Sequence, residues 1–279
     1  MKKKTSVILI LVAMLLLSTV SIALAVTYGE PDEDGHPYVG LVFFYDDNDD
    51  YLWRCSGTLL APKVFVTAGH CTFGTAKAVV LFDPDLEDIV YVEEGDQGYL
   101  FGQYGKHKYY VGLTYAHPEY NDYWTDFPDT HDVGVVVLQR PANLKSYGSL
   151  PELGALDQAA GKYHKKDIII RTVGYGVQSV KPLDQSEKIR FTSTSNLVNL
   201  NSANNDGYNL QTSNNPSVVH GKGGACFGDS GGPLFYPQNS NVMVGIVSFG
   251  MNWNCKGEDW SYRTDISTTQ DFINSFLIK

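Results

Sequence analysis

Apolar residues recur along this chain in short runs or in strict alternation, at 38–45, 63–67, 78–82, 109–115, 133–138, 168–173 and 242–249, each set between Gly, Pro, Asn and Asp turns. Segments of five to eight residues with this pattern predict β-strands, half buried where they alternate and fully buried where they run apolar. No heptad pattern, no repeat of 20–50 residues and no dinucleotide or phosphate-binding glycine pattern is present, so an all-β sandwich or barrel is expected over an α/β fold. Residues 267–277 break the pattern. Ser or Thr is available there as an N-cap, and Phe272, Ile273, Phe276 and Leu277 share one face, so the spacing predicts a closing amphipathic helix. Residues 141–166 are rich in Pro, Gly, Ala and Lys without a sustained strand pattern, which marks a linker between two β units of ordinary domain size.

The longest apolar run, 7–17, follows Lys2, Lys3 and Lys4 and precedes Ala23-Leu24-Ala25. That order matches a secretory signal peptide, and the run falls short of the roughly 20 apolar residues that cross a bilayer. The expectation is an exported protein, extracellular or periplasmic, cut after Ala25 and free of the membrane afterwards. With 43% hydrophobic and 19% charged residues, the composition excludes disordered, collagen-like and coiled-coil chains. Net charge is −10, and loss of the three signal-segment lysines makes it more negative, which argues against nucleic acid or an anionic membrane as partner. Four Cys in an exported chain are expected to be oxidised, and three pairings are open. Asp46, Asp47, Asp49 and Asp50 crowd one short stretch, but it lacks the glycine and glutamate of a calcium loop and reads as a solvated hairpin turn.

Three strings carry chemistry. Residues 224–234 read GACFGDSGGPL and set Ser230 among glycines that let the backbone bend and a substrate approach its amides. Residues 67–71, TAGHC, place His70 just after an apolar strand, and 131–138, HDVGVVVL, place Asp132 at the start of another. Together they supply a nucleophile, a base and an orienting acid. Asp126 and Asp129 compete for the acid role by proximity, but only Asp132 opens into the apolar strand. Zinc held by Cys55, His70 and Cys71 would lack the usual spacing and consume the base. His36, His107, His117, His131, His164 and His220 have no comparable string around them and read as surface or locally bonded histidines.

These strings, in the order His, Asp, Ser and over about 26–277, resemble the trypsin/chymotrypsin family of serine endopeptidases. The resemblance implies two six-stranded antiparallel β-barrels with a C-terminal helix, divided as 26–145 and 146–279 after a signal peptide at 1–25. It implies His70, Asp132 and Ser230 as catalytic residues and the Gly228 and Ser230 amides as the oxyanion hole. It pairs Cys55 with Cys71 and Cys226 with Cys255. No cofactor or metal is implied; the partners are polypeptide substrates and protein inhibitors, met by a monomer. Two other functions remain beside it, a catalytically silent binding homologue and an esterase, though the esterase elbow G-x-S-x-G is not met.

The resemblance also builds a specificity pocket from Gly224, Ala225, Val247, Ser248, Phe249 and Gly250. Gly224 stands where trypsin-like members carry an acid, so a neutral slot for Phe, Tyr, Leu or Met is expected, and a Lys or Arg side chain would be buried unpaired. Trp260 falls near the pocket wall; pointing inward it would select small side chains, pointing outward it would be an ordinary surface aromatic. Val26-Thr27-Tyr28-Gly29 resembles the family's freed N-terminus, whose ammonium pairs with the acid before the nucleophile, Asp229 in this chain. Signal cleavage after Ala25 would then itself be the activating cut.

Overall fold

The structure, a computed structural model, describes residues 26–27, 29–89, 92–94, 97–99, 106–122, 125–163, 167–180, 187–215 and 223–277. The signal segment, His164 and His220 lie outside the described residues. The chain forms strands β1 (Glu30–Pro31), β2 (Val39–Tyr45), β3 (Tyr51–Ala61) and β4 (Val64–Thr67), a single turn α1 (Gly69–Thr72), then β5 (Lys77–Leu81), β6 (Val92–Glu94), β7 (Gln97–Tyr99), β8 (Tyr109–Ala116) and β9 (Gly134–Leu138). Helix α2 (Ala155–Lys162) follows. The second half holds β10 (Ile169–Gly174), β11 (Phe191–Asn199), β12 (Asn209–Asn214), β13 (Pro233–Phe235), β14 (Met243–Gly250) and β15 (Gly257–Arg263), and ends in α3 (Ser267–Leu277).

Six strands close the first barrel in the order β2-β3-β4-β9-β8-β5, all antiparallel. Closure leaves no edge strand to template aggregation. Strand β2 is buried along its whole length because it faces two ways: Val42 and Phe44 enter the barrel interior with Leu59, Val66 and Val135, while Leu41 and Phe43 pack with Tyr175 of the second half. The second barrel runs β11-β10-β13-β14-β15-β12 and closes through a β11 to β12 pairing. The Asp46 to Asp50 stretch is the β2–β3 hairpin turn, pinned by the amides of Asn48 and Asp50 donating to the Asp46 carboxylate.

Two departures from the expected division concern the termini. Strand β1 pairs with β11 of the second barrel, and Thr27 bridges to Gly224, so the first residues belong structurally to the second half. Helix α3 instead packs on the first barrel, where Ile273 enters its core and Phe276 meets Tyr115. The expected linker is not featureless either: α2 lies within it and buries Leu156 and Ala159 against Ile168 and Val244.

Candidate active site

Helix α1 starts where β4 ends, and its first turn carries His70 to the rim of the first barrel. The His70 imidazole Nδ1 lies 2.9 Å from one carboxylate oxygen of Asp132 and 3.1 Å from the other, while the His70 backbone amide donates to Asp132 at 2.8 Å. Asp132 is buried just before β9 and also accepts a 2.5 Å hydrogen bond from Ser248 Oγ on β14. Burial opposes charge on both members of the pair. The attraction and hydrogen bonds between them outweigh it, so the His70 pKa is raised above its ordinary value and that of Asp132 is lowered. Asp129 is engaged elsewhere, by the Tyr262 hydroxyl at 2.6 Å, and Asp126 by Asn121.

Ser230 sits between the two barrels. Its carbonyl accepts from the Ser56 amide at 2.8 Å, next to the Cys55–Cys71 disulfide beside His70. Gly231 has φ +78°, and a Cβ there would meet Thr67 Oγ1 at 2.0 Å and the Ala68 amide at 2.8 Å. Only glycine therefore lets the serine loop approach the end of β4, three residues before His70. Ser230 makes no hydrogen bond to His70 in this structure; such contacts commonly tighten only when substrate binds. The Gly228 and Ser230 amides donate to none of the described residues, and Gly228 has φ +93°. The second disulfide, Cys226–Cys255, ties this loop to the segment ahead of β15.

A cavity of about 240 Å³ opens beside Ser230, walled by Ala225, Val247, Ser248, Phe249, Gly250 and Asp259, while Gly224 is not among its lining residues. The lining thus carries one acid that the neutral slot expected from Gly224 did not include. Gly224 has no acid of its own, but a Cβ there would lie 2.3 Å from Asp259 Oδ2, so its lack of a side chain is what makes room for a carboxylate arriving from β15. Burial pushes the Asp259 pKa up to about 7, against the pull of hydrogen bonds from the Ala225 amide and Asn214. Trp260, whose direction the sequence left open, is not among the residues lining this cavity. Successive residues of a strand face opposite ways, and with Asp259 inward Trp260 turns out of this cavity and stacks on Phe249, ring centroids 5.5 Å apart and 2° from parallel. Strand parity decides which of the two lines the pocket, and a one-residue uncertainty in alignment inverts it.

Asp229 is fully buried, its carboxylate accepting from the amides of Gly176 at 2.8 Å and Cys226 at 2.9 Å. Burial outweighs these bonds and pushes its pKa up to about 7. Val26 is also buried, against Phe191 and Ile189. No helix among the described residues is long and apolar enough to cross a membrane.

Comparison with known proteins agrees with this architecture. The family model Trypsin matches residues 29–273. The chain is 28% identical over 236 residues to the phenoloxidase-activating enzyme of Bombyx mori, covering 78% of this chain but only 52% of that protein, so it spans about half of that relative's length. It is 27% identical to brachyurin of Leptuca pugilator, over 74% of this chain and 80% of that protein. The solved structure of HL collagenase superposes with a TM-score of 0.67 at 17% identity, covering 91% of this chain and 99% of the other, a likeness of fold.

Proposed function

Because the chain belongs to the trypsin family of serine endopeptidases, we propose that it hydrolyses polypeptides through Ser230 as nucleophile, His70 as general base and Asp132 as the acid that orients the imidazole. The observation that carries this reading is the Asp132 carboxylate bonded to His70 Nδ1, with Ser230 lining the adjacent cavity. Asp132 fixes the tautomer with the proton on Nδ1, which leaves Nε2 to take the Ser230 proton as Oγ attacks the substrate carbonyl. The same proton passes to the leaving amine, and water then releases the acyl group by the reverse sequence. The Gly228 and Ser230 amides, without partners among the described residues, are the donors for the oxyanion.

The cavity's apolar walls suit an apolar side chain before the scissile bond. Asp259 adds a second preference, because a carboxylate with pKa about 7 is largely neutral in mild acid and charged above neutrality. Lys and Arg are thus admitted as the pH rises. The chain works after export, as two halves meeting at the cleft, and activation is the cut after Ala25: the new Val26 ammonium pairs with Asp229, whose buried carboxylate accepts from two backbone amides and, among the described residues, from no cation.

The test is labelling with an organophosphonate followed by peptide mapping, together with cleavage of a mixed peptide library. A covalent adduct on Ser230 and hydrolysis that disappears in Ser230→Ala are expected. An unlabelled, well-folded protein that cleaves nothing would identify a binding homologue on the same fold.

A further inference from the structure

The residue before Asp132 belongs to a second cluster. His131 has φ +49°, and its carbonyl accepts from the Val133 amide in a tight turn, which sends its ring away from Asp132. That ring lies parallel to His117, at the end of β8, with centroids 4.8 Å apart and planes 6° from parallel. Glu119 completes the group: one ring nitrogen from each histidine and one Glu119 carboxylate oxygen all lie within 4.8 Å of one another. Phe272 of α3 covers the far side of His117, ring centroids 5.0 Å apart.

The hydrogen bonding of the two rings is incomplete. His131 Nε2 stands 3.8 Å from Glu119 Oε2, beyond hydrogen-bond reach, and buried His131 Nδ1 has no hydrogen-bond partner, Asp129 Oδ1 being 3.5 Å away without suitable geometry. His117 Nδ1 accepts only a long 3.2 Å contact from the Glu119 amide. Buried polar atoms are normally satisfied, and stacked imidazoles short of partners are a costly way to fill space.

We propose that His117, His131 and Glu119 bind a divalent transition-metal ion of the zinc class, with Asp129 orienting His131. Two imidazoles and a carboxylate suit zinc, copper or nickel over calcium or magnesium, and three protein ligands leave one position for water. Zinc holds such ligands at about 2.0–2.2 Å, so donor atoms now within 4.8 Å must draw together. Glu119 is exposed and free to swing inward, and the rings need only tilt. His117 either gives up its 3.2 Å contact or shifts its proton to free the other nitrogen. Asp129 supplies the outer carboxylate that metal-bound histidines usually have: it faces His131 Nδ1 and is itself held by the Tyr262 hydroxyl at 2.6 Å, leaving Nε2, on the Glu119 side, for the ion.

The experiment is calorimetric titration of tag-free Ser230→Ala protein, inactivated against self-digestion, with zinc chloride and in parallel with calcium chloride. Ser230 is not a ligand, so the result is independent of whether the protein is a protease. Expected are one zinc ion per chain, a thermal midpoint raised by zinc and restored by chelator, and no response to calcium. Glu119→Gln, at an exposed position that leaves folding intact, is expected to weaken binding at least about tenfold, and His131→Gln more. His107→Gln, in the separate cluster with Asp83 and Asp88, is expected to bind normally. No binding, or affinity unchanged in Glu119→Gln and His131→Gln, overturns the proposal.

Discussion

The imidazole of His70 has to be neutral to accept a proton, yet Asp132 makes its charged form the more stable one. Since the His70 pKa is raised in the fold, the pair's stabilisation is complete below the unfolded value of about 6.5 and is lost as pH rises through the folded value. The acid limb of kcat/KM is therefore expected above about 6.5, and a pH profile on a neutral peptide substrate measures it. Ser230→Ala and His70→Ala are each expected to lower turnover on the order of 10⁶-fold, and Asp132→Asn about 10⁴-fold through the wrong tautomer, at unchanged thermal stability of the serine variant. For Asp259, the ratio of arginyl to phenylalanyl substrate turnover is expected to climb through about pH 7 and to become flat in Asp259→Asn; a flat ratio in the unmodified protein removes Asp259 from specificity. The triad candidates were legible because each lies in a short contiguous string. Asp259 was not, because a pocket is assembled across strands and the inward side of β15 depends on a parity that no local motif announces. Nor was the Ser248 hydroxyl, whose bond to Asp132 joins residues 116 positions apart.

At the level of elements, Arg190 just before β11 is a heavily bonded cation. It is fully buried, pairs with Asp32 at 2.7 Å, and donates to the carbonyls of Val39 and Phe82 and to the Tyr175 hydroxyl. It thus ties the N-terminal segment, the first barrel and the second into one network. Arg190→Met strands a buried carboxylate and several carbonyls, and a loss of about 3–5 kcal/mol in urea unfolding is expected, with part recovered when Asp32→Leu is added. The seven apolar segments read as strands match β2, β4, β5, β8, β9, β10 and β14 to within a residue or two, and the closing helix matches its observed bounds, while β3, β13 and β15 were not read. Strands β11 and β12 were missed because their buried positions include Ser193, Ser195, Asn196, Asn209 and Gln211, all polar. Periodicity detects apolar faces, and these strands present almost none. Helix α2 was missed for a related reason, since a short helix that buries only Leu156 and Ala159 gives little pattern.

Across the whole molecule, the uncut chain keeps Asp229 buried with a pKa pushed up to about 7. A raised carboxyl pKa means the folded state binds its proton more tightly than the unfolded one, so stability falls as pH rises from about 4 towards 7. If the Val26 ammonium pairs with Asp229 after cleavage, that loss disappears. Urea midpoints of a Ser230→Ala chain beginning at Val26 are expected to hold between pH 5 and about 7, while those of a chain extended by one residue decline; matching curves would rule out the pairing. The crossed termini carry a different implication. Because β1 is a strand of the second barrel and α3 is part of the first barrel's core, each half is completed by the other's end. The covalent path through 141–166 is then redundant for holding the halves together. A nick in an exposed part of that connector is expected to leave two polypeptides clasped like linked hands, one peak on gel filtration and two bands after denaturation.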